Sequence, residues 1–178
     1  MVADKLSARI IKYPDPRLRR KSAAIVVFDE SLAALARRML ELMHAGKGVG
    51  LAGPQVGVCR CIIACNPTGE PADDMVLINP EITDLVGAAE AEEGCLSVPD
   101  VLVKIRRARK CRIKAFDLDG KPFTSQAEGL LARIWQHELD HLDGRLIVDR
   151  MNDTDRIAYK KRLADLEAEY RRINHRKR

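Results

Sequence analysis

The segment from 129 to 144, GLLARIWQHELDHLDG, limits the fold more than any other part of the chain. Its apolar residues recur at helical spacing and Gly144 follows as a stop signal, so it predicts a helix. His137 and His141, four residues apart, would share one face of that helix, a spacing that suits one metal ion. Glu138 is offset by about 100° and would stand beside the ion, positioned to take a proton from water. The alternative, two surface histidines on an amphipathic helix, fits the apolar neighbours less well, and we expect both histidines to be at least half buried.

A catalytic ion usually needs a third protein ligand, and this segment offers none. Glu167, Glu169 and His175 lie downstream, where zinc proteases with this motif find theirs, but in a helix predicted to be peripheral. Upstream, Cys95 stands in EEGCLSVPD, a stretch predicted to be irregular. A thiolate is a strong ligand for a soft or borderline metal, although a lone cysteine is more often a buried apolar side chain. The residues alone leave both directions open.

The order of the predicted elements favours an α+β fold with mostly antiparallel sheets. A helix is predicted over FDESLAALARRMLELMHAGKG, capped by Asp29 or Ser31 and ended by its last two glycines. Strands are predicted in RCIIAC, MVLINPEI, VLVKIRR and CRIKAFD, and residues 119–120 form a hairpin turn. From Asp153 onward a long helix carries one apolar stripe: Tyr159, Leu163, Leu166, Tyr170 and Ile173. The sheets should therefore surround the two-histidine helix, with one helix before it and one after it.

Length and composition indicate one soluble globular domain, since 46% of the 178 residues are apolar and 32% are charged. No stretch approaches the roughly 20 apolar residues of a membrane span, and no signal-peptide pattern is visible. The five cysteines form no CxxC pair and are odd in number, which favours a reducing compartment. We expect a cytoplasmic protein, or an organellar one if a leader has been removed.

The net charge of +5 is concentrated in the C-terminal segment. Residues 151–178 hold nine Lys/Arg and five Asp/Glu, so the rest of the chain is nearly neutral. A basic tail on a neutral body indicates an anionic partner for the tail. We divide the chain into a single catalytic domain, residues 1–152, and a basic C-terminal helix, residues 153–178, packed on that domain or extending from it.

The segment GVGLAGPQVG, residues 48–57, holds four glycines and a proline. It cannot be one regular element, and it predicts a loop whose backbone approaches another group closely. The alternative is a plain tight turn. A phosphate-binding loop is disfavoured because the pattern GxxxxGK[ST] is absent.

Three motifs together resemble those of the peptide deformylases: GVGLAGPQ at 48–55, EGCLS at 93–97 and QHELDH at 136–141. The order and separations also match, and the resemblance spans roughly residues 8 to 150. It implies that Cys95, His137 and His141 bind one divalent metal ion and leave a fourth position open. It also implies Fe(II), with zinc, nickel or cobalt as substitutes, whereas ligand chemistry alone favours zinc.

The resemblance further implies removal of the formyl group from the N-terminal formyl-methionine of nascent proteins. Glu138 would act as general base on a metal-activated water, while the Gln55 amide and the Leu96 N–H would stabilise the oxyanion. The substrate would bind as an extended strand beside the glycine-rich loop. Substrate-contacting positions implied in this way are Val49, Gly50, Ala91, Glu93, Gly94, Leu130, Arg133 and Ile134.

Three residues leave questions that the motifs do not answer. Arg133 precedes His137 by one helical turn, and we expect its stem to line the pocket while its charge reaches solvent. Gly53 stands where the family usually has alanine, a change that we expect to loosen the loop. Leu102 stands near a position where many members carry arginine, which would alter rate or substrate preference.

Partners and alternatives follow from the same resemblance. N-formylated nascent peptides are the expected partners, and in some deformylases a basic C-terminal helix docks on the ribosome. No membrane and no sequence-specific DNA partner is expected. Two other functions stay open, an amidohydrolase that acts on another N-acyl peptide and a non-catalytic ribosome-associated metal protein. Glu138 and Gln55 argue against the latter, because neither is needed to hold an ion.

Overall fold

The computed structural model describes residues 8–175, apart from the side chain of His175. Its helices are α1 (Glu30–Ala45), α2 (Leu130–Leu142) and α3 (Asp153–His175). Its strands are β1 (Gly50–Ala52), β2 (Ile62–Cys65), β3 (Met75–Val86), β4 (Ala89–Cys95), β5 (Val98–Arg107), β6 (Lys110–Phe116) and β7 (Pro122–Glu128). Short 3-10 helices lie at Pro16–Arg19, Gly53–Val56, Pro71–Asp73 and Ile147–Arg150.

The strands form two sheets. One has five strands in the order β1-β2-β3-β6-β7, and the other is the β4–β5 hairpin. All of these strand pairs are antiparallel. The predicted α+β class with antiparallel pairing is therefore confirmed.

Two helices bury opposite faces of the five-stranded sheet. On one face α2 contributes Ala132, Ile134 and Trp135 to a cluster with strand residues such as Ile63 and Ile113. On the other face Leu35, Met39 and Met43 of α1 pack against Ile62 and Ile78. Each such side chain stabilises the fold by roughly 1.5–3 kcal/mol when buried, so the two-histidine helix is held firmly against the sheet.

Helix α1 begins as the sequence predicts. Asp29 accepts a hydrogen bond from the Leu32 N–H, 3.0 Å away, which satisfies one of the free donors at the helix start. Gly46 caps its other end. Among the described residues, no helix is both long enough and apolar enough to cross a membrane.

Helix α3 packs on the β4–β5 hairpin. Leu166, only 2% exposed, joins the cluster formed by the inward valines of β5. The Arg162 Nε donates to the Pro99 carbonyl over 3.1 Å, and the Leu102 N–H donates to the Tyr159 hydroxyl over 3.2 Å. The apolar stripe is therefore used, although Ile173 at its end is 45% exposed. The division between residues 152 and 153 stays a prediction.

Two stretches are more regular than the sequence indicates. The glycine-rich segment is not one loop, because Gly50–Ala52 pairs with β2 and a 3-10 helix follows. The segment around Cys95 is not irregular either, since Cys95 ends β4 and pairs with Val98 across a two-residue turn. Strand pairing, which is a tertiary effect, imposes this order on residues of low β-propensity.

Gly53 lies where the surrounding backbone closely approaches the chain. A Cβ added there would lie 2.5 Å from the Arg60 carbonyl oxygen and 2.6 Å from that of Val58. The chain closes over Gly53 at distances that no side chain would allow. The expected loosening of the loop stays a prediction.

Candidate metal centre

Three potential metal ligands meet where the β4–β5 hairpin contacts α2. One ligand atom from each of Cys95, His137 and His141 lies within 4.8 Å of the others. The Cys95 Sγ is 3.3 Å from the His141 Nε2. Both histidines are buried, at 9% and 1% exposure, which confirms the predicted burial. The end of β4 thus delivers the thiol, and two successive turns of α2 deliver the imidazoles.

The histidine rings have different surroundings. The His137 Nδ1–H donates to the Glu93 Oε2 over 2.8 Å, which leaves its Nε2 for the cluster. Burial opposes protonation of His137, but its hydrogen bonds with Cys95 and Glu93 outweigh burial and raise its pKa to about 10. Burial holds the pKa of His141 well below its ordinary value, and its Nδ1 has no partner among the described residues. The surroundings therefore favour the charged form of His137 and the neutral form of His141.

These residues fit a divalent cation. One donor atom from each of the three side chains lies within 4.8 Å of the others, which is close enough for a single cation to contact all three. A thiolate with two imidazoles is a donor set that zinc and iron accept, and three protein ligands leave a position open for chemistry. A carboxylate that orients a ligating imidazole is a common support of metal sites.

An ionic network that the motifs do not reveal surrounds Glu93. Arg107, with a side chain 3% exposed, donates through Nε and Nη2 to the two Glu93 oxygens over 2.6 and 2.8 Å. Its Nη1 reaches the Asp140 Oδ2 at 2.9 Å, and Arg150 binds both oxygens of Asp140. Burial opposes ionisation of Glu93, but hydrogen bonds from His137 and Arg107 hold its pKa at about 2. The burial of Arg107 could have been predicted from the sequence, because Arg107 continues the alternation of inward-facing residues along β5.

A cleft of about 370 Å³ opens beside the three ligands, between the β1 edge and β4. It is lined by the predicted residues Val49, Gly50, Gln55, Glu93, Gly94, Cys95, Leu96, Leu130, Arg133, Ile134, His137 and Glu138. Lys47, Gly48 and Glu92 also line it and were missed. Ala91 is exposed and does not line it, so its assignment to the pocket wall is wrong.

Glu138 is buried, at 3% exposure, and its Oε2 has no hydrogen-bond partner among the described residues. Burial raises its pKa to about 7. Gly50 lies against this carboxylate, and a Cβ at that position would collide with the Glu138 Oε1. The glycine is therefore required by close approach, as the sequence predicts.

Gln55 is held so that its amide nitrogen faces the ligands. Its Oε1 accepts from the Ala52 N–H over 2.7 Å. Its Nε2 donates to the Ser97 Oγ over 3.3 Å and lies 3.5 Å from the Cys95 Sγ. Leu96 is the next residue of the same turn, so two candidate donors adjoin the thiol.

The remaining predicted residues lie elsewhere or are bound differently. Glu167 accepts from the Tyr13 hydroxyl over 3.0 Å, which supports its exclusion as a ligand, and Glu169 lies in the same helix. The His175 side chain is outside the described residues. Leu102 is 53% exposed, with its Cδ2 3.3 Å from where a Gly94 Cβ would stand.

The Arg133 guanidinium does not extend to solvent. Its side chain is 12% exposed and forms hydrogen bonds within the protein. The expectation that the charge of Arg133 reaches solvent is wrong, because the Glu93 carboxylate and the Ile105 carbonyl accept hydrogen bonds from its guanidinium inside the protein.

The fold and this site define a class, the mononuclear metal-dependent hydrolases. A divalent-cation site, an unpaired buried glutamate and an adjacent cleft are the parts that such an enzyme requires. Comparison with known proteins narrows the class to one family. The polypeptide deformylase family model matches residues 7–157, and the chain belongs to this family.

Individual relatives agree with that assignment. The peptide deformylase of Alkalilimnicola ehrlichii is 44% identical over 158 residues, which cover 88% of this chain and 89% of the relative. Among solved structures, the Legionella pneumophila peptide deformylase has a TM-score of 0.85 at 40% identity, covering 95% of this chain and 98% of that one. The Plasmodium falciparum enzyme has a TM-score of 0.88 at 35% identity, covering 92% and 97%.

Proposed function

We propose that the cleft removes the formyl group from the N-terminal formyl-methionine of nascent proteins, and that Glu138 is the catalytic acid and base. One observation carries the proposal. The cleft is lined by Glu138, Gln55 and two of the candidate ligands, Cys95 and His137, and the third ligand, His141, lies beside them. A hydrolase needs a base, an oxyanion donor and a cation in this arrangement.

Cys95, His137 and His141 would hold the ion. When bound, a divalent cation supplies Lewis-acid chemistry, polarising the formyl carbonyl and making water more acidic. We propose iron(II), because the chain belongs to a family that uses it and a thiolate is among the ligands. Zinc, nickel and cobalt also suit two imidazoles and a thiolate. Metal analysis of protein purified without oxygen tests this assignment.

Glu138 moves the proton. Its pKa of about 7 suits a group that must accept and then donate a proton near neutral pH. The Oε2 takes a proton from the attacking water and returns it to the amine nitrogen as the C–N bond breaks. The products are formate and a peptide with a free N-terminal methionine.

Gln55 and Leu96 stabilise the negative charge that develops on the formyl oxygen. The hydrogen bond from Ala52 fixes the carbonyl end of the Gln55 amide, so its NH₂ group is oriented before the substrate arrives. Preorganised donors of this kind contribute about 3–4 kcal/mol each to transition-state stability.

The substrate backbone binds between two strand edges. β1 ends the five-stranded sheet and β4 is the open edge of the hairpin, so main-chain groups near Gly50 and Gly94 are available to an extended peptide. Leu130, Ile134 and the stem of Arg133 offer an apolar wall for the methionine side chain. Val49, 42% exposed, covers the opposite side.

Formate release from formyl-Met-Ala tests the proposal. We expect the iron(II)-loaded parent to release formate, and Glu138→Ala to be about 10²–10⁴-fold slower while it still binds metal. No release by metal-loaded parent protein would refute the proposal. Release from N-acetyl peptides alone would instead identify an amidohydrolase of different substrate class.

We propose in addition that α3 docks the enzyme on ribosomal RNA, in the compartment where nascent chains appear, the cytoplasm of a bacterial cell. Arg162 is bonded to Asp100 and Arg171 lies near Glu167. Four further basic residues of α3 have no ion pair within residues 8–175 and face solvent: Arg156, Lys160, Lys161 and Arg172. They would bind phosphate by electrostatic attraction, whereas residues 1–152 form the catalytic unit.

Ribosome pelleting at two salt concentrations tests this docking. Because Leu166 belongs to the core, the helix should be changed at its surface and not removed. We expect replacement of the four residues by glutamine to abolish pelleting at low salt and to leave deformylation of free peptides unchanged. The matched control replaces four exposed basic residues outside α3 that have no ion pair within residues 8–175: Arg20, Lys21, Lys104 and Lys114. Equal pelleting of both variants and the parent would refute the docking.

A further inference from the structure

Arg133 has more polar contacts than a pocket-lining arginine needs. Its Nη1 is 2.6 Å from the Glu93 Oε1 and 2.9 Å from the Ile105 carbonyl oxygen, and its Nη2 is 2.8 Å from the Ala89 carbonyl oxygen. These acceptors belong to both strands of the β4–β5 hairpin. A single side chain of α2 therefore bonds to both strands of the hairpin.

Glu93 connects Arg133 to a proposed metal ligand. One Glu93 oxygen accepts from Arg133 and the other from the His137 Nδ1–H. The orientation of an imidazole that binds metal depends on the acceptor behind it. Arg107 also holds Glu93, but it approaches from β5 and is bonded to Asp140 as well. Among the described residues, Arg133 is the one arginine that binds this carboxylate from the helix that carries His137, one turn away.

The carbonyl contacts connect α2 to the hairpin next to the cleft. Ile105 pairs with Ala91 across the hairpin, so the two carbonyls accepting from Arg133 lie beyond Glu93 on the side away from Cys95. The hairpin has no hydrogen-bonded strand in common with the five-stranded sheet. The separation of α2 from β4 in this region therefore depends on side chains, and Arg133 spans it.

We infer that Arg133 is a positioning residue, which orients His137 through Glu93 and sets the width of the methionine pocket. The inference rests on the proposed ligand set and substrate. Three of the five N–H donors of Arg133 are engaged within the protein, so the guanidinium serves the protein framework and not an anionic substrate group.

Arg133→Met tests the inference, because methionine keeps an apolar stem of similar length and removes the hydrogen bonds. The first measurement is the rate at which a chelator removes cobalt(II), followed by the thiolate-to-cobalt absorption. The second is the ratio of kcat/KM for formyl-Met-Ala to that for formyl-Ala-Ala. We expect cobalt loss to be about 10–100-fold faster and the ratio to fall about tenfold. Arg106→Met, at the exposed neighbour of Arg107, should change neither.

Arg133→Lys provides a second test if the methionine variant does not fold. Lysine keeps the charge but cannot form the planar fork, so we expect the same changes at reduced size. The inference would be overturned if either folded variant lost cobalt at the same rate as the parent and had the same ratio of kcat/KM for the two peptides. Loss of cleavage of acidic peptides alone would overturn it too and assign Arg133 to substrate binding. Cobalt loss is measured without substrate, so failure of the proposed reaction in the parent is recognised separately.

Discussion

Replacement of Arg107 by methionine should destabilise the protein in a way that depends on pH. The Arg107 side chain is 3% exposed and makes three short charge-assisted hydrogen bonds, two to Glu93 and one to Asp140. Methionine fills much of the same volume but donates none of them. Two buried carboxylates would then each lose a positive partner.

We expect Arg107→Met to lower the free energy of unfolding by about 3 kcal/mol. Removal of one partner from a buried ion pair costs about 3–5 kcal/mol. The lower end applies here, because Glu93 keeps Arg133 and Asp140 keeps Arg150. The pKa of Glu93 sets a ceiling of the same order, since a carboxyl that falls from 4.5 to about 2 on folding contributes about 3 kcal/mol at neutral pH, and His137 and Arg107 share that contribution.

The pH dependence has a definite sign. Because folding lowers the pKa of Glu93, its contribution is complete above pH 4.5 and is lost as the pH falls towards about 2. The stability difference between the parent and Arg107→Met should therefore be largest at pH 7 and smaller at pH 3.5. Urea unfolding with chelator present measures it without the contribution of bound metal.

Arg106→Met is the matched control, because Arg106 lies beside Arg107 on the solvent face of β5. We expect the control to change the free energy of unfolding by less than about 0.5 kcal/mol. A loss below about 1 kcal/mol for Arg107→Met at pH 7, or the same loss at both pH values, would refute the ionic account of this network.

Three further changes test other parts of the site. Gly50→Ala should lower kcat about 100-fold with little change in Tm, since its Cβ displaces the Glu138 carboxylate; unaltered kcat would contradict this contact. Gly53→Ala should lower the free energy of unfolding by about 1–3 kcal/mol, because two carbonyl oxygens occupy the space, and an unchanged urea midpoint would contradict it. Metal binding at pH 7 should release at least one proton, because the pKa of His137 is about 10 and a ligating imidazole is neutral. Calorimetry in buffers of different ionisation enthalpy counts that proton, and a heat independent of buffer would exclude its release.

Local patterns were sufficient to predict most of the helices and strands. The periodicity of α1 and α2 and the β-branched runs of β2, β3 and β5 are properties of short segments. Three strands were not recognised as such: β1 in the glycine-rich segment, β4, whose side chains include three glutamates, and β7, whose side chains are mostly polar. Their conformation comes from pairing with β2, β5 and β6, and no segment taken alone carries that information.

The same distinction between local patterns and long-range contacts applies to the site. Motifs place Cys95, His137 and Glu138 in one cleft because each motif is short and its order is informative. The surroundings of Arg133 and Arg107 were beyond prediction, because Glu93 lies 40 residues from the first and 14 from the second. Whether an arginine stem extends to solvent or folds inward depends on acceptors brought near by the whole fold.

Two unpaired strand edges facing one cleft have a consequence for the range of substrates. Free edges usually invite association between molecules, so proteins tend to cover or charge them. Here the β1 and β4 edges are short and face each other across the cleft. Main-chain groups are common to every polypeptide, whereas side chains differ from one to the next. A cleft that binds the main chain and one invariant first residue can serve the diverse N-termini of a whole proteome with a single rigid site.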